Sequence, residues 1–162
     1  MTSKLDGWQN PVEIQISAHP VYLSVVRGAV RKVVELFGLS EDDGDEVILA
    51  LEEALANVIR HGYGGPCYKP IAIRLHRVQA GEQEGLEVVV RDSAKPVDPE
   101  TIKSRDLEDV RPGGLGVHII RSVMDEVEYS CLKDGGMQLR MVKYVGGMAN
   151  GKLERKKQQK KA

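Results

Sequence analysis

The sequence predicts an α+β domain: a two-layer sandwich in which one mostly antiparallel sheet carries three helices on a single face. Three observations point there. The apolar period switches between helical spacing and strict alternation, in the order strand, helix, helix, two strands, loop, helix, two strands. Both strand pairs are joined by short polar or glycine-rich segments, which makes their members antiparallel neighbours. Aromatic residues are only 4% of the 162-residue chain, so the core has to be built from Val, Ile, Leu and Ala.

Each element has its own justification. Residues 12–18, VEIQISA, alternate apolar and polar as a half-buried strand does. His19-Pro20 interrupts them, and proline suits the first turn of a helix. Val21, Val25, Val26, Ala29, Val30, Val33, Val34 and Phe37 then recur at helical spacing up to Gly38. Ser40 is a natural N-cap, and Glu41, Asp42 and Asp43 behind it favour the positive end of a second helix over 41–61. Gly62 is expected to close that helix as its C′ residue. From residue 70 the period becomes two: PIAIRLHRV (70–78) and EGLEVVVRD (84–92) form a hairpin through QAGEQ. Residues 93–113 contain Pro96, Pro99 and Pro112 and have no sustained apolar period, so they form a long loop with one short helical turn. Loops longer than about 12 residues in a small domain commonly carry function. GGLGVHIIRSVMD (113–125) is glycine-rich and then helical. EVEYSCLK (126–133) and MQLRMVKYV (137–145) make a second hairpin through DGG.

Charge and composition narrow the classes. The chain is 41% hydrophobic and 29% charged, as expected of a folded domain with its own core. Its net charge of −1 hides a contrast: the last twelve residues, GKLERKKQQKKA, hold six Lys/Arg and one Glu, which leaves the other 150 near −6. Residues 1–146 read as one domain and 147–162 as a basic, disordered tail. An acidic body without interleaved basic and aromatic residues argues against direct nucleic-acid binding. No apolar run approaches the roughly 20 residues of a membrane-spanning helix, and the N-terminus lacks the apolar centre of a secretory signal. Cys67 and Cys131 stand outside any paired-cysteine or zinc spacing. A cytoplasmic protein is expected.

Three features carry chemistry. In LEEALANVIRHGYGG (51–65) and the turns before it, Val47, Ile48, Leu51, Ala54, Leu55, Val58 and Ile59 gather on one helical arc. Glu46, Ala50, Glu53 and Asn57 form a second stripe beside that arc rather than opposite it. An acid and an amide one turn apart on the border of a core either line a cleft or bond to neighbouring backbone. Asp92 closes the VVV strand and opens SAKPVDP, where an acid accepts a hydrogen bond from a ligand or folds into an Asx-turn. Gly113-Gly114-Leu115-Gly116 opens a helix. Glycines there either form a flexible linker or let backbone amides and the helix terminus approach an anion, with phosphate the natural guest. Neither GxxxxGK[ST] nor GxGxxG is present.

Glu53-x-x-x-Asn57, Asp92-Ser-Ala94 and Gly114-Leu115-Gly116, in that order, resemble the three boxes of the GHKL ATPase superfamily. This is the Bergerat, or histidine-kinase-like, nucleotide-binding fold of DNA gyrase, the large heat-shock chaperone and sensor histidine kinases. EEALANVIRHGY is similar to the corresponding helix of bacterial anti-sigma-factor serine/threonine kinases of the sigma-B and sigma-F partner-switching type. The similarity spans roughly residues 10–146.

The resemblance implies ATP and ADP as ligands with Mg²⁺. It implies a sigma factor and an anti-anti-sigma antagonist as partners, and a homodimer as the common assembly. Glu53 would be the catalytic base, and Asn57 would give its side-chain oxygen to Mg²⁺. Asp92 would accept from the adenine amino group beside Ala94, and Gly114, Leu115 and Gly116 would wrap the triphosphate. Arg105 and Arg111 are candidate cations for the phosphates; the family carries an Arg near the glycine box, from which Arg111 is displaced by about one position. Ala94 stands where the pattern has glycine, and alanine disfavours the positive φ that glycine allows, which bears on the shape of the base pocket. A nucleotide-binding switch without efficient transfer is the alternative.

Overall fold

The structure, a computed structural model, describes residues 10–102 and 114–146. The candidate cations Arg105 and Arg111, Gly113 and the basic tail lie outside the described residues.

Among the described residues five strands form one antiparallel sheet: β1 (Val12–Ser17), β2 (Pro70–Ala80), β3 (Gln83–Arg91), β4 (Glu126–Cys131) and β5 (Met137–Tyr144). Their order is β1-β2-β3-β5-β4, so β3 is central. β2 runs two residues longer than the sequence suggests and β3 starts and ends one residue earlier, so that they meet at the two-residue turn Gly81-Glu82, with Gly81 at φ 63°. Positive φ at the first turn residue alone is the type II′ pattern, whose twist matches that of the paired strands. Alternation sorts the sheet into two faces. Ile71, Ile73 and Leu75 of β2, Val88 and Val90 of β3, and Leu139 and Met141 of β5 belong to the buried core. On the other face, Arg140 bridges Glu87 at 2.5 Å and Glu126 at 2.7 Å.

The helices are α1 (Leu23–Phe37), α2 (Glu41–Asn57) and α3 (Leu115–Val123). A 3₁₀ turn at Pro20–Tyr22 precedes α1, capped by His19 Nδ1 accepting from Val21 N–H. Val26, Val30, Val33, Val34 and Phe37 of α1 are buried, whereas Val21 and Val25 are more than half exposed and Ala29 is exposed, so the core-facing stripe is narrower than the sequence pattern. Gly38 ends α1 at φ 84° with its N–H on the Val34 and Glu35 carbonyls, the usual left-handed closure. Ser40 Oγ accepts from Asp43 N–H at 3.1 Å and caps α2 as expected.

The end of α2 differs from expectation. The helix predicted over 41–61 is α-helical to Asn57 and then continues as one turn of π-helix, Val58–Gly62, with Tyr63 N–H on Val58 O at 2.8 Å. Gly62 is therefore not a left-handed C′ residue; the positive φ angles fall at Gly64 (74°) and Gly65 (135°). Single π turns within helices recur at functional sites.

Lys143 of β5 ties the layers together. It sits on the helix-covered face at 1% exposure, donates to Val123 O at the end of α3 at 2.8 Å, and pairs with Glu46 and, at 3.5 Å, with Asp43 of α2. Burial alone pushes its ammonium down. The hydrogen bond to Glu46 and the nearby charges of Glu46, Asp125 and Asp43 outweigh that, and the net direction is up.

Candidate nucleotide site

The stripe beside the core of α2 faces α3. Glu53 and Asn57 are half-buried, and neither side chain makes a hydrogen bond or ion pair with another described residue. That removes the plain structural role, bonding to neighbouring backbone, for the described part of the chain. What they meet is Gly116. A Cβ at position 116 would lie 2.8 Å from Glu53 Oε2, and 3.2 and 3.3 Å from Asn57 Nδ2 and Oδ1. Glycine lets the backbone approach the ends of these two side chains, and its φ is not in the left-handed region. The first turn of α3 is thus laid against the acid and the amide.

Next to Asn57 opens a cavity of about 260 Å³. Its walls include Ala54, Asn57, Val58, His61 and Gly62 from the α2 side, Val90, Asp92, Ala94 and Lys95 from the end of β3, and Tyr129, Met137 and Leu139 from β4 and β5. A mostly apolar cavity with a few placed polar groups is the usual form of a small-molecule site. Two of the three sequence features line this cavity, and the third, through Gly116, closes on Asn57. Leu115 is 61% exposed, so it serves the helix start with backbone rather than side chain, and Gly114 is the buried N-cap residue.

Asp92 emerges from the central strand opposite the first residue of β5. Its Oδ1 accepts from Ala94 N–H at 2.8 Å and from Met137 N–H at 3.3 Å. The first bond is an Asx-turn, so that plain alternative is part of the truth. Its second oxygen accepts nothing from the described residues and remains for a donor in the cavity. Ala94 causes no strain, because no non-glycine residue among those described has positive φ. Its methyl is buried against Gly62: a Cβ at 62 would come within 3.1 Å of it.

Sequence reading missed several contributors. Tyr63 Oη donates to Pro70 O and accepts from Ser93 N–H, both at 2.7 Å. Burial pushes its phenol up, against the opposing pull of the Ser93 hydrogen bond, so it keeps the proton it donates. Tyr129, another residue of the cavity wall, has its phenol pushed up to about 12 by burial. Gly136 and Met137, read only as turn and strand, back Asp92 directly. The one available signal for Tyr63 was its place between glycines in HGYGG.

Residues 16–143 match the family model of the histidine kinase-like ATPase domain. The chain belongs to that family. Among histidine kinase-like ATPase relatives, it is 26% identical over 142 residues to the serine-protein kinase RsbW of Halalkalibacterium halodurans, covering 83% of each chain. It is 28% identical over 145 residues to RsbW of Bacillus velezensis, covering 84% of this chain and 86% of that one. Two solved structures share the fold. One, of the SiaB–SiaC complex from Pseudomonas aeruginosa, superimposes with a TM-score of 0.60 at 14% identity, over 82% of this chain and 88% of that one. The other, of the RsbU and RsbW domains of Rv1364c from Mycobacterium tuberculosis, gives 0.57 at 18%, over 83% of this chain but only 32% of that longer one. The described helices include none long and apolar enough to cross a membrane.

Proposed function

We propose that the chain is an ATP-dependent protein serine/threonine kinase and anti-sigma factor. Its substrate is an acceptor serine on an anti-anti-sigma antagonist, and its second partner is the sigma factor that it sequesters. One observation carries this reading: the side chains of Glu53 and Asn57, free of other described partners, meet Gly116, and Asn57 lines a cavity together with Asp92. The relatives named serine-protein kinase RsbW support the same reaction class.

The roles follow from the chemistry of each group. The second oxygen of Asp92 accepts from the adenine amine, with the apolar cavity walls on the faces of the base. The glycines at the start of α3 present backbone amides to the phosphates. Asn57 offers a hard oxygen, and residue 116 beside it adds no side chain, so it fits a magnesium ligand. The ion would supply neutralisation of phosphate charge. Glu53 takes the proton of the acceptor serine hydroxyl as the serine oxygen bonds the γ-phosphorus. The bond from that phosphorus to the β–γ bridging oxygen breaks, and ADP leaves with the electron pair. Arg105 and Arg111 are proposed as phosphate cations from the adjoining segment.

Labelled ATP with the cognate antagonist tests this. Glu53→Gln is expected to lower transfer by about 10²–10⁴-fold, the usual worth of a general base, with nucleotide affinity unchanged. Tight ATP binding by the wild type without transfer to any antagonist would leave the switch reading in place of the kinase. Undiminished transfer in Glu53→Gln would remove Glu53 as the base.

A further inference from the structure

The segment Asp92–Ala94 has left the sheet, yet all three of its amides are held. Asp92 N–H donates to Met137 O at 3.1 Å, Ser93 N–H to Tyr63 Oη at 2.7 Å and Ala94 N–H to Asp92 Oδ1 at 2.8 Å. From the β5 side, Gly136 at φ 95° comes so close that a Cβ would sit 2.0 Å from Asp92 O. From the other side the Tyr63 hydroxyl stands between Ser93 and Pro70, the first residue of β2. The segment is gripped between the β4–β5 turn and a tyrosine strut.

We infer that Tyr63 is a positioning residue that aims Asp92 at the exocyclic amine of a 6-aminopurine, with Gly136 as the opposing wall. The inference rests on the nucleotide reading above. Its physics is directional. Hydrogen bonds weaken steeply as the donor–acceptor line bends, so a carboxylate that recognises a single amine has to be held in orientation as well as place. Asp92 Oδ1 is spent on two backbone amides, which fixes the carboxylate plane and leaves Oδ2 for the ligand. Without the Tyr63 hydroxyl, Ser93 N–H and Pro70 O both lose their partner, and the segment is free to turn toward water. The aromatic ring keeps its packing in Tyr63→Phe, so the fold is expected to persist.

The test compares ATP with purine riboside triphosphate, which lacks only the 6-amino group, by isothermal titration. Wild type is expected to prefer ATP by about tenfold, the usual worth of a hydrogen bond to a charged acceptor. In Tyr63→Phe the preference is expected to fall to about twofold or less, with affinity for purine riboside triphosphate unchanged, as misalignment of one bond requires. A variant that keeps the wild-type preference, or weakens both nucleotides equally, overturns the inference alone, as does a wild type that binds the two equally. A wild type that binds neither overturns the nucleotide reading and the inference with it. Amide exchange in the nucleotide-free wild type is a second measurement, independent of any variant. Slow exchange at Ser93 and Ala94 is expected, and rapid exchange at Ser93 would overturn the strut.

Discussion

Gly62 and Ala94 share one small volume, and only one of the two positions has room for a methyl group. Ala94 fills it from the β3 side, buried to 4%, while the π turn brings a bare Cα against it. The departure from a glycine at 94 is thus matched by a glycine at 62. Gly62→Ala is expected to crowd the contact and Ala94→Gly to empty it, each destabilising by about 1 kcal/mol. The double exchange moves the methyl across the seam, so its loss should fall short of the sum of the single losses by about 1 kcal/mol. Urea unfolding of the four proteins measures this, and strict additivity would mean that the two positions do not share the space.

At the scale of elements, the approach of α3 to α2 is set at both ends. Gly116 lies on Glu53 and Asn57 at one end, and Lys143 joins Glu46, Asp43 and Val123 O at the other. Ala50 lies between these points on the same stripe and is fully buried. Lys143→Met leaves two carboxylates that still reach water, so the loss is expected to be about 1–3 kcal/mol, below that for a wholly buried pair. The folded-state shift of Lys143 is upward, so its contribution is complete below the ordinary lysine range and disappears as pH rises through the higher folded value. The gap between wild type and Lys143→Met should therefore hold through neutral pH and close only in strong alkali. A gap that closes near neutrality would contradict this sign.

At the scale of the whole molecule, the proposed ligand touches both layers: α2, the start of α3 and the ends of β3, β4 and β5 all border one cavity. A ligand bound there binds the folded arrangement of both layers and not the unfolded chain. Mg·ATP at 100 times its Kd is expected to add about 2.7 kcal/mol to the unfolding free energy. Thermal unfolding should remain a single transition, shifted up by roughly 5–10 °C for a domain of this size. Asn57→Ala should remove the part of that shift that chelation of magnesium removes from the wild type. An equal response to chelation in both proteins would exclude Asn57 as the metal ligand.

Much of the architecture was legible in the chain itself, because period and punctuation act locally. Gly38 stops a helix wherever it folds, Ser40 starts one, and the alternation of β2 and β3 buries one face of a sheet whatever lies on top. The spacing of Glu53 and Asn57 likewise set them on one helical face beside the core. What sequence spacing left open was which elements come to meet that face. Gly116 is 59 residues beyond Asn57, and Gly136 is 44 beyond Asp92, separations at which only packing brings groups together. Sequence spacing assigned Tyr63 no role, and the tertiary fold makes it a strut because Pro70 and Ser93 arrive on either side of its hydroxyl. A periodic pattern depends on neighbours three or four residues away. Contacts such as these depend on the whole sheet being assembled first.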